Sequence, residues 1–265
     1  MIHHGPTAAQ IRLFQEVGRR LDRRGLIASN DGNLSVRDPD GTILITATGS
    51  RKGYLKTDEI VRVDAQGKVL SRGRGASSEC HMHREIYRTR PDISAVVHAH
   101  PPIATGFAVA REAMDACVLP EIIATLGAVP LAPYGTPGTS DLGGKLMPFV
   151  QTHDVVLLAN HGAVALGPDL EEAYFRMERL EHTARILLTA RLLGNVERLS
   201  GSEVEVLLGA GGAPGAGARL PCVPGTTPGP AGFPGGGALA EIIRQVLESR
   251  GYPPGCGDNP VVRDS

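Results

Sequence analysis

The chain has 265 residues, a length that suits one domain, or one domain with an appendage, better than two full domains. Its 27 Lys and Arg against 28 Asp and Glu give a formal net charge of −1. This balance excludes binding to nucleic acid or to an anionic membrane that is driven by the overall charge of the protein. Aromatic residues make up only 4% and Trp is absent, which argues against a stacking surface for single-stranded nucleic acid.

The cysteines and the N-terminus indicate the compartment. The four cysteines stand far apart and form no CxxC pair, so that we expect reduced thiols and neither a zinc ribbon nor a disulfide framework. The first residues lack the basic and apolar regions of a signal peptide, and no window holds enough consecutive apolar residues to cross a bilayer. We therefore expect a cytoplasmic protein.

The first half of the chain begins with a helix and continues with strands. Residues 7–24 carry apolar side chains at helical spacing, and Gly25 follows as a residue that commonly ends a helix. Short runs rich in β-branched residues, separated by turns, then predict antiparallel strands. These predicted strands are residues 34–37, 42–46, 60–63 and 68–70. A helix over residues 77–89 is predicted next, and RPD separates it from a strand at residues 95–98.

The second half of the chain alternates between helical and strand patterns. The predicted short elements are helices at 106–113 and 121–126 and strands at 129–132 and 155–159. A long helix over residues 170–193 begins after Asp169 and ends at Gly194. Helices at both ends with strands between them predict an α/β layered fold, in which helices flank a central, mostly antiparallel sheet.

Composition changes sharply near the C-terminus. We expect a catalytic domain at residues 1–200, a flexible linker at 201–237 and a short C-terminal helix with a tail at 238–265. The linker prediction rests on a Gly- and Pro-rich stretch, densest from residue 209 to 237, that has too little apolar material to offset the entropy of ordering it. Residues 238–250 carry apolar side chains at helical spacing and predict a helix that docks on the body or on a partner.

Three histidines are candidates for metal binding. His98 and His100 lie two apart in a predicted strand, so that both side chains leave the same face and can converge on one ion. The alternative is that they only pack in the core. His161 follows an apolar strand and precedes a glycine that lets the backbone approach closely, although such a histidine taken alone is more often structural.

Glu79 follows two serines at the predicted start of a helix. A carboxylate there can simply complement the helix dipole. Three imidazoles and one carboxylate, however, form a tetrahedral metal site, and a carboxylate that leaves when substrate arrives would open a position on the metal. The remaining histidines of the body are predicted to be supporting, packed or surface residues: His81, His83, His153 and His182.

Turns dense in backbone N–H groups and hydroxyls are candidates for anion binding. They are DGNLS at residues 31–35, TATGS at 46–50, and Ser77 with Ser78, which opens a helix. A phosphate group fits such places. Taken singly, each is also an everyday turn, and none is a Walker or GxGxxG motif.

Taken together, these motifs resemble the class II aldolase/adducin family, typified by fuculose-phosphate aldolase and ribulose-phosphate 4-epimerase. The order and spacing match across about residues 7–195. The matching motifs are Asn33 in GNLS, Thr48 with Gly49, Ser77-Ser78-Glu79, RPD, HAH with His98 and His100, APYGTPGT, and NHG with His161.

The resemblance implies a fold, a cofactor, an assembly and site roles. His98, His100 and His161 would hold a divalent metal, usually zinc, with Mn²⁺ or Co²⁺ as alternatives, and Glu79 would be the fourth ligand and the acid/base. A phosphate group would be bound by Asn33, Thr48, Gly49, Ser77 and Ser78. The family resemblance also implies a homotetramer with each active site between neighbouring subunits.

The function implied is an aldolase that cleaves a ketose 1-phosphate, like fuculose phosphate, to dihydroxyacetone phosphate and an aldehyde. The alternatives are a sugar-phosphate 4-epimerase, a dehydratase or a decarboxylase on the same fold, or a non-catalytic adducin-like interaction domain; a zinc hydrolase is disfavoured because HExxH is absent. In fuculose-phosphate aldolase a Tyr before the APY strand protonates the aldehyde. This chain has LPEIIATLG there, so that Glu121 is either a second acid/base or structural.

Overall fold

One mixed sheet runs through the protein, which is known from a computed structural model that describes residues 5–71, 73–114 and 117–209. The seven strands are β1 Asn33–Arg37, β2 Ile43–Thr46, β3 Ile60–Val63, β4 Ala95–Ala99, β5 Leu131–Ala132, β6 Val155–Leu158 and β7 Gly162–Gly167. Their order in the sheet is β3-β2-β1-β4-β7-β6-β5. Every neighbouring pair is antiparallel except β5 and β6, which confirms the predicted mostly antiparallel sheet.

Helices lie along both faces of the sheet. They are α1 Ala8–Arg23, α2 Cys80–Thr89, α3 Pro102–Val109, α4 Pro120–Thr125, α5 Ser140–Val150, α6 Leu170–Leu193 and α7 Gly201–Gly209. Local hydrogen bonds fix the N-terminal ends of the two longest helices, α1 and α6. Thr7 and Gln10 form a capping box at the start of α1, and the Asp169 side chain accepts a hydrogen bond from the Glu172 N–H at the start of α6.

Two hydrophobic cores, one on each face of the sheet, determine where the side chains of each strand point. The first core joins the sheet to α1, α3, α4 and α6, and the second joins it to α2 and α5. On β4, Val97 belongs to the first core and Val96 to the second. Because successive strand residues face opposite sides, His98 shares the face of Val96 and points toward α2.

Several predicted elements differ from the structure. Residues 68–70 form no strand, because their pairing with β3 is limited to an isolated bridge between Val69 and Val63. The strand predicted at 129–132 is reduced to β5, and Val129 bridges to Met114 instead. The sequence analysis missed α5, because Gly143, Gly144 and the internal Pro148 are poor helix formers. The helix is stabilised instead by the packing of its apolar side against the second core.

Helix α3 begins four residues earlier than predicted, directly after His100 and Pro101. Its first N–H groups have no partner within the helix, and the buried Glu181 carboxylate of α6 accepts hydrogen bonds from Ile103 N–H (3.1 Å) and Ala104 N–H (3.0 Å). A side chain nearly eighty positions away therefore fixes the start of this helix. No local pattern could have predicted it.

The body extends beyond residue 200, which corrects the predicted start of the linker. Residues 201–209 form α7, and its Val204 is buried in the first core. The rest of the predicted linker and the predicted helix at 238–250 lie outside the described residues. Cys80 is a free thiol. Among the described residues, no helix is both long and apolar enough to cross a membrane.

Candidate metal centre

His98 lies at the middle of the sheet. It pairs in register with Asn33 of β1 on one side and with Val164 of β7 on the other, and its side chain is completely buried. Its Nδ1–H donates a hydrogen bond to the Ala163 carbonyl oxygen at 2.9 Å, which leaves Nε2 unprotonated. Burial lowers the pKa of His98 to about 3, so that the ring is neutral and available as a ligand.

His100 approaches His98 from the end of β4, and His161 approaches it from the turn between β6 and β7. The centroids of the three rings lie 4.7 to 5.1 Å apart. His161 sits in the tight turn between β6 and β7, and a Cβ on the next residue, Gly162, would lie only 2.5 Å from the Ala99 carbonyl oxygen. The glycine of NHG is therefore required for this turn to approach the HAH segment.

The Glu79 carboxylate lies against two of the three imidazoles. Its Oε2 is 3.2 Å from Nε2 of His98, and its Oε1 is 3.4 Å from Nε2 of His161. The side-chain amide of Asn33 donates to Oε2 at 2.7 Å. Burial alone raises the pKa of the Glu79 carboxyl, but its polar surroundings, among them the Asn33 amide that donates to it, outweigh this effect, so that its pKa lies below the usual value.

The cluster fits a divalent metal. One nitrogen from each of His98, His100 and His161 lies within 4.8 Å of the others, as ligands of a single ion must. Within the described part of the chain, two buried atoms of the cluster lack a hydrogen-bond partner, Oε1 of Glu79 and Nδ1 of His161. Imidazole nitrogens with one carboxylate oxygen are the donors that zinc and its transition-metal neighbours take in proteins.

The predicted anion-binding turns lie beside this cluster. Ala47 pairs with Ala76, and the Ser77 N–H donates to the Thr46 carbonyl oxygen at 3.1 Å, which aligns TATGS with the serines that precede Glu79. The second of those serines, Ser78, is exposed. Thr48 and Gly49 are exposed as well, whereas Asn33 is buried with its side chain directed at Glu79. Their assignment to phosphate stays a prediction.

Glu121 is not part of the cluster within one chain. It is exposed at the start of α4, and its backbone carbonyl accepts a hydrogen bond from Thr125. A role for Glu121 as a second acid/base therefore stays a prediction. Two further histidines lie where the sequence analysis expected them, His153 half-buried and His182 on the surface.

The sequence analysis missed Lys52, and it gave Asp31 no role beyond its place in an anion-binding turn. The buried Lys52 amine donates to the carbonyl oxygens of Asn30 (2.5 Å) and Ser50 (2.9 Å), so that it joins the residue before DGNLS to the last residue of TATGS. Burial lowers the pKa of Lys52 to about 8. Asp31 Oδ2 lies 3.5 Å from Nδ1 of His100 and helps to orient that ring. A lysine in a Gly- and Ser-rich turn ordinarily lies on the surface, so that the sequence carried no signal for its burial.

Comparison with known proteins identifies the family. A family model described as Class II Aldolase and Adducin N-terminal domain matches residues 12–188. The chain belongs to the class II aldolase and adducin family. The match contains Glu79 and the three histidines, which confirms the resemblance seen in the motifs.

Members of the class II aldolase and adducin family with two different reaction names are about equally similar to this chain. The 3-oxo-tetronate 4-phosphate decarboxylase of Pectobacterium atrosepticum is 34% identical over 196 residues, covering 70% of this chain and 89% of the relative. The L-fuculose phosphate aldolase of Methanocaldococcus jannaschii is 35% identical over 175 residues, covering 66% and 93%. A solved L-fuculose 1-phosphate aldolase superposes with a TM-score of 0.72 at 33% identity, covering 78% of this chain and 98% of that chain.

Proposed function

We propose that this protein is a metal-dependent lyase that breaks a carbon–carbon bond of a sugar phosphate, with aldol cleavage of a ketose 1-phosphate as the first candidate reaction. The products would be dihydroxyacetone phosphate and an aldehyde. The observation that carries the proposal is the Glu79 carboxylate, held within 3.4 Å of two imidazole nitrogens of a three-histidine cluster. A non-catalytic interaction domain has no use for that arrangement.

His98, His100 and His161 would hold the metal, and we propose zinc, with Mn²⁺ or Co²⁺ as alternatives. When bound, a divalent cation polarises a carbonyl and the adjacent hydroxyl and stabilises the negative charge that develops on their oxygens. Glu79, a carboxylate ionised at neutral pH, would take up a proton from water and deliver it to the carbon next to that carbonyl once the carbon–carbon bond has broken. Thr48, Gly49, Ser77 and Ser78, with Asn33, orient the phosphate group.

The second candidate is decarboxylation of a 3-oxo acid phosphate, named in relatives that are as similar as the aldolases. Both reactions leave an electron pair on a carbon beside a carbonyl, so that one metal and one proton-transfer group serve either. Aldol cleavage additionally requires a base for the hydroxyl that becomes the aldehyde oxygen. Glu121 is exposed and outside the cluster of its own chain, so that it could serve only in a neighbouring subunit's site. A site that receives no such base from a neighbouring subunit favours the decarboxylase.

A panel of substrates separates the candidates. Metal-loaded protein is incubated with ketose 1-phosphates, among them fuculose, rhamnulose, 5-deoxyribulose and methylthioribulose phosphates, and with a 3-oxo-tetronate 4-phosphate. Release of dihydroxyacetone phosphate supports the aldolase, and release of carbon dioxide supports the decarboxylase. Epimerised starting material without cleavage products would support the 4-epimerase, and elimination of water a dehydratase. Inertness toward every compound would contradict an enzymatic role.

Metal content tests the ligand set. We expect His98→Ala, His100→Ala and His161→Ala each to lose most of the bound metal, because the three imidazoles are the permanent ligands, whereas Glu79 is the ligand that leaves when substrate arrives. The measurement is metal per chain by elemental analysis after gel filtration. His182→Ala, which removes an exposed histidine of α6, serves as the matched control and should keep the wild-type content. Unchanged content in all three cluster variants would contradict the site.

The assembly and location remain proposals of the same kind. We propose a homotetramer with active sites between subunits, in the cytoplasm, and Glu121 as the residue that one subunit contributes to its neighbour's site. The native mass measured by light scattering tests the tetramer.

Glu121→Gln should lower turnover while leaving the metal content unchanged, and a wild-type rate in this variant would make Glu121 structural.

A further inference from the structure

A line of buried polar side chains runs from the Glu79 carboxylate into the space between β1 and α2. We name it the buried chain; its members are Asn33, His83, Ser35 and Tyr87, all buried. Asn33 and Ser35 are two apart on β1 and share a face, whereas His83 and Tyr87 are four apart on α2 and share the opposing face. Glu79 lies four residues before His83, on that same side of the helix.

Each link of the buried chain is a hydrogen bond. Asn33 Nδ2 donates to Glu79 Oε2 at 2.7 Å, and Asn33 Oδ1 contacts Nε2 of His83. On the far side of the ring, Nδ1 of His83 lies 2.6 Å from the Ser35 hydroxyl, which lies 2.7 Å from the Tyr87 hydroxyl. No atom in this sequence of contacts lies beyond hydrogen-bond distance.

The chemistry of the groups sets the direction of every bond. The Asn33 amide turns its N–H₂ toward the Glu79 carboxylate oxygen and its own oxygen toward His83. The Asn33 oxygen therefore requires the proton of His83 on Nε2. Burial lowers the pKa of His83 to about 4, so that the neutral ring accepts from the Ser35 hydroxyl at Nδ1, and Ser35 accepts in turn from Tyr87. All donors point toward Glu79.

We propose that the buried chain fixes the Glu79 carboxylate against the histidine cluster, with His83 as the positioning residue that holds the Asn33 amide in the orientation that binds Glu79. His83 is not one of the proposed metal ligands and acts through Asn33 and Glu79. The inference rests on the proposed metal site but not on the identity of the sugar. It assigns to Asn33 a function in holding Glu79 besides any contact with phosphate.

Binding of Co²⁺ provides a readout that does not depend on turnover. Co²⁺ is titrated into metal-free protein, and the dissociation constant and the visible absorption bands, which report the ligands around the ion, are measured. We expect His83→Phe to weaken Co²⁺ binding about tenfold and to change the bands, since loss of a group that orients a metal ligand typically costs 10- to 100-fold in affinity. His83→Gln, whose amide can place an N–H where Nε2 stood, should recover most of the affinity.

A double variant tests whether His83 acts through Glu79. In a Glu79→Gln background, His83→Phe should cause little further loss of Co²⁺ affinity, because the ligand that His83 positions is already altered. Thr183→Val is the matched control, as it removes a buried hydroxyl that donates to the Arg179 carbonyl oxygen at 2.8 Å, away from the site. It should lower the melting temperature and leave the Co²⁺ constant unchanged.

Two results would overturn the proposal. One is a His83→Phe protein that melts at lower temperature but binds Co²⁺ with wild-type affinity and bands, and the other is an equal loss of affinity with and without the Glu79 carboxylate. Where His83→Phe fails to fold, Ser35→Ala, which removes the donor to Nδ1, should show a smaller loss in the same direction, and wild-type affinity and bands would overturn the proposal. Inertness toward every sugar phosphate, with this pattern of Co²⁺ affinities intact, would contradict only the proposed function.

Discussion

Glu79→Gln should lower turnover by about 10²- to 10⁴-fold while the protein keeps its metal, if Glu79 is the general base. The amide has nearly the shape of the carboxylate and still makes hydrogen bonds, but it cannot accept the proton. The three imidazoles of the cluster remain to hold the ion. Steady-state kinetics on the substrate identified by the panel, with metal content determined on the same preparation, provides the measurement.

A nearby glutamate provides the control. Glu85 lies on the same helix, α2, where it pairs with Arg88 on the side away from the cluster, and Glu85→Gln should leave the rate unchanged. If Glu79 only complements the helix dipole, its replacement would cost a few tenths of a kcal/mol in stability and leave the rate near wild type. A wild-type rate with metal retained would therefore refute the proton-transfer role.

Asp154→Ala should lower the free energy of unfolding by about 3 kcal/mol, because two buried guanidinium groups lose their shared buried carboxylate and keep only the more exposed Asp92 and Glu172. Asp154 is only 3% exposed and binds Arg90 of the RPD segment at 2.9 Å and Arg176 of α6 at 3.0 Å. It immediately precedes β6, so that one carboxylate joins the end of α2, the sheet and α6. Urea denaturation of the variant and the wild type measures the loss, provided that the unfolding free energy of both depends equally on urea concentration.

The same arginine supplies the matched control for Asp154. Arg90 also pairs with Asp92 at 2.7 Å, but this carboxylate is 39% exposed. A solvated ion pair contributes little, so that Asp92→Ala should cost at most about 1 kcal/mol. Equal urea midpoints for the two variants would contradict the view that burial makes the Asp154 network important.

The elements that the sequence predicted well are those whose signals are local. The helix predicted at 170–193 has the observed bounds of α6, since Asp169 caps it and Gly194 ends it in a left-handed conformation. The strands near 34–37, 42–46, 60–63, 95–98 and 155–159 were also correct to within one or two residues. Each has enough β-branched or apolar residues to be recognised within its own length.

The elements that it missed depend on distant partners. Helix α5 has two glycines and a proline and forms because its apolar side packs on the second core. The start of α3 is set by Glu181, far away in the sequence. Residues 68–70 have the composition of a strand, yet they form only an isolated bridge at Val69. Propensity is a weak preference that such tertiary contacts override.

The sequence by itself determined which residue types build the site and where each lies in its own element: an HxH pair on one strand face, a histidine before a glycine in a turn, and a glutamate at a helix start. Each of these requires only neighbours in the chain. Only the tertiary structure decided that Glu79 meets His98 and His161, and that Asn33 turns toward Glu79 rather than toward solvent. The reason is physical, because the sheet register and the packing of α2 on it set these distances, and neither leaves a local pattern in the sequence.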